Sequence, residues 1–271
     1  MPSDLRALPL RSLTAARLQA WVNALAAKGL APRTVAKALA EVHRWLQVAV
    51  KQGRIASNVA ADVAPPERAH VERKRLTSEQ ATAFLKAAES DPLNAFFVLA
   101  LLTGARPAEL LALTWADVDG GEMIIRRSIA NGAHRTRVVA DTKTGRERRM
   151  TLGPRERAAL ARHKLRLGHV PAADTFIFAG PSGRPRDAAA ITHRHFANLL
   201  TVAGLPHMRL YDLRHSSLSI LADEGIDPKV IQERAGHANI KTTYHNYIHA
   251  HPSGQAMATA ALNRALGVGG S

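Results

Sequence analysis

The 271-residue chain has no cysteine. That excludes a disulfide framework, cysteine-ligated zinc and thiol catalysis, so any nucleophile must be an oxygen or a nitrogen. Aromatic residues make up only 4% of the chain, which argues against stacking on single-stranded bases as a binding mode. No run approaches the roughly 20 apolar residues needed to cross a bilayer, and the opening MPSDLRALPLRSL lacks the apolar stretch of a signal peptide. A cytoplasmic location is the expectation, with no membrane partner. Acidic residues are scarce as well, 22 Asp and Glu against 37 Lys and Arg, for a formal net charge of +15. A surface this basic repels itself unless a polyanion neutralises it, and nucleic acid leads that list of partners.

What is present is a 46% hydrophobic content, enough for a sizeable core in one large or two modest domains. The positive charge is clustered: residues 1–75 carry 13 Lys and Arg against 5 Asp and Glu, and residues 126–166 carry 13 against 3. Leu18, Trp21, Val22 and Leu25 recur at helical spacing before Gly29, and a second helical pattern runs from Pro32 to Gly53. Pro65-Pro66 and the charged run after them break the periodicity, as linkers do. The expected division is a helical module over 1–63, a linker over 64–76 and a second domain over 77–271.

The second domain opens on a capping box, Thr77 with Gln80, and continues into the apolar helix PLNAFFVLALLTG. Between 121 and 152 the period shortens. EMIIRRSIA, RTRVVADT and RERRMTL are alternating or β-branched and separated by NGAH and KTG, which predicts one small antiparallel sheet. Helical patterns resume at 154–167, 187–203, 211–224, 228–235 and 239–250. The fold class to expect is mainly α with a small antiparallel β-sheet.

Three stretches carry groups able to grip or attack phosphate. TGARPAEL places Arg106 at a helix start beside Gly104, where a guanidinium fork and free backbone N–H groups can converge on one anion. YDLRHSS sets Tyr211, Arg214 and His215 within about one helical turn. ERAGHANIKTTYHNYIHA puts His237 after a glycine, with Tyr247 ten residues on in the next helix. Each stretch alone is unremarkable.

Together and in this order they resemble the active-site signature of the tyrosine recombinases, the phage-integrase family of site-specific DNA recombinases. The resemblance runs from about residue 13 to 250. It implies a helical core-binding module followed by an integrase-type catalytic domain that breaks and rejoins duplex DNA through a 3′-phosphotyrosyl link, with no metal and no cofactor. The implied catalytic residues are Arg106, Lys143 in DTKTGRERRMTL, Arg214, His237 and Tyr247 as nucleophile, with Tyr211 where the family usually has His. Glu109, the acidic neighbour of Arg106, and His215 are placed behind them. Arg33, Lys37, Arg44, Lys74, Arg146 and Arg148 are the candidate DNA-binding residues. The implied partners are duplex DNA, a homotetramer on DNA with a monomer allowed in its absence, and accessory DNA-bending or directionality factors. Location would then be nucleoid-associated when DNA is bound.

The chemistry suits these residue types. A phenol with pKa near 10 is only about one part in a thousand ionised at pH 7, a handicap of roughly 4 kcal/mol that cationic neighbours and a base must offset. Arginines, planar and permanently charged, bind two oxygens of a pentacoordinate phosphorus at once. His237 can donate to a non-bridging oxygen or relay the tyrosine proton, and Lys143 resembles the family's general acid.

Other readings fit the same residues. Tyr244 competes with Tyr247 for the nucleophile. His245 and His249 have the i,i+4 spacing of a zinc pair but no acidic or cysteine partner at fixed spacing. An inactive DNA-binding factor would use the same basic surfaces, and a type IB topoisomerase the same chemistry. The N-terminal module departs from the family, since two helices stand where about four are usual. A shortened or minimal DNA clamp is the expectation. The segment after 252 resembles the helix that family members pack on a neighbouring subunit.

Overall fold

The computed structural model describes residues 8–67, 74–131, 137–141 and 147–247. The chain divides into two compact units, residues 1–72 and 73–271. Among the described residues no helix is long and apolar enough to cross a membrane.

The first unit is built on α1 (Ala15–Ala27) and α2 (Pro32–Lys51). Thr14 caps α1 by accepting from the Arg17 N–H, and α2 opens on Pro32, whose missing N–H costs nothing at a first-turn position. The expected apolar face is the buried one: Leu18, Trp21 and Val22 pack on Val35, Leu39 and Leu46, and Ala60 and Val63 close the cluster. Burying each large side chain contributes about 1.5–3 kcal/mol. Asn58 fixes the returning segment, donating to the His43 carbonyl at 3.0 Å and accepting from Ala60 N–H at 3.1 Å.

The second unit starts with α3 (Ser78–Ala87), capped by Thr77 and Gln80 acting reciprocally. Next comes α4 (Asn94–Thr103), buried at every position except Leu102. Phe84, Phe96, Phe97 and Phe178 meet edge to face around it, at centroid distances of 5.3–5.7 Å. Gly104, with φ +66°, ends α4 in the left-handed region and lets the chain turn into the short α5 (Pro107–Leu110).

The strands are β1 (Val118–Asp119), β2 (Glu122–Ile125), β3 (Arg127–Asn131), β4 (Arg137–Asp141) and β5 (Arg148–Thr151). They form two antiparallel sheets where the sequence predicts one: β1-β2-β5, with Met123 opposite Met150, and β3-β4, with Ile129 opposite Val139. The run EMIIRRSIA is cut at Arg126. Arg126 and Arg127 both reach the buried Asp117 carboxylate, at 3.2 and 2.6 Å, and this shared anchor marks where one strand ends and the next begins.

Helices complete the unit: α6 (Pro154–Arg166), α7 (Ala188–Ile191) running through a π-helical turn (Thr192–Phe196) into α8 (Ala197–Val202), α9 (Asp212–Asp223), α10 (Pro228–Ala235) and α11 (Ile240–Tyr247). A Cβ on Gly104 would sit 3.0 Å from Ser217 Oγ, so the end of α4 and the middle of α9 approach as closely as a glycine permits. That contact brings the first two sequence boxes together.

Candidate active site

Five helix ends converge here, the starts of α5 and α9 and the C-terminal ends of α4, α10 and α11. Arg106 is the N-cap of α5, and Glu109, three residues on, accepts from the Arg106 backbone N–H at 2.8 Å and from its Nη1 at 2.7 Å. The same carboxylate takes both ends of the Arg148 guanidinium, at 3.2 and 2.7 Å. Burial alone would push the Glu109 carboxyl up, but the bonds and charge of Arg148, and then of Arg106, hold it at about 2. Burial also works against the Arg106 cation; Glu109, and after it Tyr211, outweigh that and raise its pKa.

Arg214, on the first turn of α9, is 1% exposed and is bonded to no carboxylate among the described residues. Its Nη1 donates to the Gly104 carbonyl at 2.7 Å and its Nη2 to the Ala235 carbonyl at 2.5 Å. These two carbonyls belong to the C-terminal ends of α4 and α10, where the last carbonyls lack helical partners and the helix dipole is negative. Helix ends therefore stand in for an acid. Burial, followed by the charge of Arg106, lowers Arg214 to about 10, which leaves it charged at pH 7. Its Nε has no acceptor among the described residues.

His237 follows Gly236, whose φ of +62° terminates α10. A Cβ there would fall on the Arg148 guanidinium, so glycine is required twice over, by backbone and by neighbour. The His237 ring lies between Arg214 Nη2, 3.2 Å from its Nε2, and Thr243 Oγ1, 2.9 Å from its Nδ1. Arginine only donates, so Nε2 carries the lone pair and Nδ1 the proton, given to Thr243. Burial, then Arg214 and Arg106, lowers His237 to about 4, and the ring is neutral at pH 7.

Tyr247, at the end of α11, is 4% exposed and packs against Leu218, Ile231 and Ala235. Its ring stacks on His237 at 6.0 Å with 8° between the planes, and its hydroxyl lies 2.7 Å from His215 Nδ1. Tyr211, 40% exposed at the start of α9, meets the His215 ring edge-on at 5.2 Å. Tyr244 is half exposed. Arg106, Arg148 and Arg214 around the single carboxylate of Glu109 leave two positive charges in excess, beside a phenol. Such a cluster can bind a phosphodiester and favour a transition state that gathers negative charge.

The sequence profile of the phage integrase family matches residues 74–253, the stretch that supplies every side chain of this cluster. The chain belongs to the phage integrase family. A tyrosine recombinase XerC-like protein of Caldanaerobacter subterraneus is 25% identical to it over 289 residues, 96% of this chain and 73% of that protein. An integrase of Streptomyces ambofaciens is 31% identical over 269 residues, 90% of this chain and 66% of that protein. Among solved structures, the Tn1549 transposon integrase in complex with transposon right end DNA superposes with a TM-score of 0.81 at 24% identity, over 94% of this chain and 87% of that chain. The last likeness shows the fold, which is the mainly helical integrase type with small antiparallel sheets.

In this integrase-family chain the structure brings Arg106, Glu109, Tyr211, Arg214, His215, His237 and Tyr247 into one cluster. Lys143 and Arg146 lie outside the described residues, as do the side chains of His245 and His249 and the segment after 252. Arg148, expected on a DNA-facing surface, is instead buried against Glu109. Arg33, Lys37 and Arg44 are exposed on α2, and Lys74 is exposed with its Nζ donating to the His207 carbonyl at 2.7 Å. Sequence reasoning gives no role to Thr243, fully buried against His237. The TT pair before the tyrosine is the signal that could have found it.

Proposed function

We propose that this chain is a site-specific recombinase that cleaves and rejoins duplex DNA through a 3′-phosphotyrosyl intermediate, without metal or ATP. The observation that carries this reading is the Tyr247 hydroxyl, held 2.7 Å from an imidazole nitrogen in the same cluster as two buried or half-buried arginines, Arg214 and Arg106. Tyr247 Oη attacks phosphorus, the bond from phosphorus to the 5′ oxygen breaks, and the leaving oxygen takes a proton. Lys143 keeps the donor role that the family resemblance gives it. Arg106 and Arg214 neutralise the non-bridging oxygens. His237, neutral with Nε2 as acceptor, can donate to one of them only after protonation, which the arriving phosphate charge favours. The phosphotyrosyl bond retains the energy of the diester, so rejoining needs no further input. Duplex DNA and a homotetramer on it are the proposed partners.

The test uses end-labelled nicked duplexes tiled from the DNA adjoining the gene and a denaturing gel. Wild-type protein should form a covalent protein–DNA band on one of them, and Tyr247→Phe should abolish it. Capture that survives in Tyr247→Phe and vanishes in Tyr244→Phe moves the nucleophile. No capture with wild-type protein on any duplex sinks the reading and leaves a DNA-binding protein. Relaxation of plasmids regardless of sequence would point to a topoisomerase.

A further inference from the structure

The phosphotyrosyl reading leaves open where the Tyr247 proton goes, and the cluster offers three groups for it. His237 is engaged on both nitrogens, with Arg214 at Nε2 and Thr243 at Nδ1, and meets Tyr247 only through stacked ring faces. Tyr211, the residue in the second box where the family usually has His, is a phenol whose nearest described influence is on Arg106. A phenol is a poor proton acceptor at neutral pH. Among the described residues, His215 is the one that places a ring nitrogen on the hydroxyl, Nδ1 at 2.7 Å.

Resting on that reading, we infer that His215 Nδ1 accepts the Tyr247 proton as the phenol oxygen attacks phosphorus, and returns it when the free 5′ hydroxyl reverses the step. The balance is complete. In cleavage the Tyr247 O–H bond breaks and an N–H bond forms on His215, while the P–O bond to Tyr247 replaces the P–O bond to the 5′ carbon's oxygen, which takes a proton from the donor assigned above, Lys143. In rejoining, the imidazolium protonates the departing phenolate. For this the resting imidazole must carry its proton on Nε2 and leave Nδ1 as a lone pair.

The position suits the task. His215 is half-buried on the second turn of α9, so backbone and packing fix it relative to Arg214 one residue before. It makes edge contact with Tyr211, and Tyr247 faces it from α11. Among the described residues, the charged and titratable groups around it are Tyr211 and Arg214 on its own helix, and Tyr247 and His237 from the segment around α11. A bound phosphate places negative charge beside the imidazolium as it forms.

Two measurements test this on the full chain. In ¹⁵N-histidine NMR at pH 8, with the His215 signal assigned by its loss in His215→Asn, Nδ1 should show the shift of an unprotonated, pyridine-like nitrogen. A protonated Nδ1 overturns the inference whether or not DNA is cleaved. Single-turnover capture on the duplex that wild type cleaves should fall about a hundredfold or more in His215→Asn, which keeps a hydrogen-bond acceptor near Nδ1 but no base. The defect should persist on a 5′-bridging phosphorothiolate, whose sulfur leaves without a proton. The acid limb of the rate–pH profile should vanish, and imidazole should restore His215→Ala in part. His215→Asn cleavage within threefold of wild type, with an unchanged pH profile, overturns the inference and leaves the phosphotyrosyl reading standing. Absent capture by wild type overturns both.

Discussion

Arg148 grips both oxygens of Glu109, with Nη1 3.2 Å from Oε1 and Nη2 2.7 Å from Oε2, and both side chains are buried. Arg106 Nη1 meets the same Oε1 at 2.7 Å. Glu109 thus neutralises an arginine that cannot reach solvent and orients one that can.

Glu109→Gln should therefore destabilise the second unit by about 3–5 kcal/mol at pH 7, because it strands a buried guanidinium. Urea denaturation followed by circular dichroism reads this. Adding Arg148→Met should recover part of the loss, as expected when both partners of a buried pair are removed. The pH dependence follows from the sign of the shift. Glu109 falls from 4.5 to about 2 on folding, so its contribution is complete above pH 4.5 and is lost as pH falls toward 2. That contribution is on the order of 3 kcal/mol. Acid destabilisation between pH 5 and about 2.5 should be weaker in Glu109→Gln than in wild type; equal slopes would show that Glu109 is not the linked group.

The parts of this site legible in the sequence are those carried by contiguous residues. Arg106 sits in its glycine turn, Arg214 in YDLRHS, and His237 and Tyr247 in one run of eleven residues, so the family resemblance reaches them through short local motifs. Helices are legible for the same reason: Leu18, Trp21 and Val22 mark a face by position alone, and that face is the buried one. The remaining features depend on pairings between distant segments. Arg148 lies 39 residues from Glu109 in an arginine-rich run, where composition suggests a solvent-facing, DNA-binding side chain. Only the fold shows that β5 turns it inward, with Gly236 clearing space for it. His215 is 32 residues from Tyr247, and nothing local marks its Nδ1 as the group on the hydroxyl. The single sheet read from 121–152 fails because Asp117, upstream of all three runs, anchors Arg126 and Arg127 and divides the first run.

Tyr211→His should leave cleavage unchanged or raise it. Tyr211 is 40% exposed and contacts the His215 ring edge, so an imidazole fits the space and adds a second ionisable group near phosphate. Single-turnover capture measures the outcome. A hundredfold loss would mean that the phenol has a task of its own, for which its influence on Arg106 is the first suspect.

On α2 the structure separates basic residues that composition treats alike. Arg33 and Lys37 are exposed, and no partner is described for either side chain, whereas Arg44 is bound to Glu41 and lies 5.8 Å over the Trp45 ring. Trp45 itself is 64% exposed and donates to the same Glu41 at 2.8 Å. Each phosphate contact that is lost should flatten the dependence of log affinity on log salt by about 0.9. Lys37→Ala and Arg33→Ala should each show a change of that size in fluorescence-anisotropy titrations with labelled duplex between 50 and 200 mM salt, values in the range where counterion release is read. Arg44→Ala should show less, since Glu41 and the Trp45 ring already occupy its guanidinium. A larger effect at Arg44 than at Lys37 would mean that DNA displaces Glu41 and that the Arg44–Trp45 pair is the true contact.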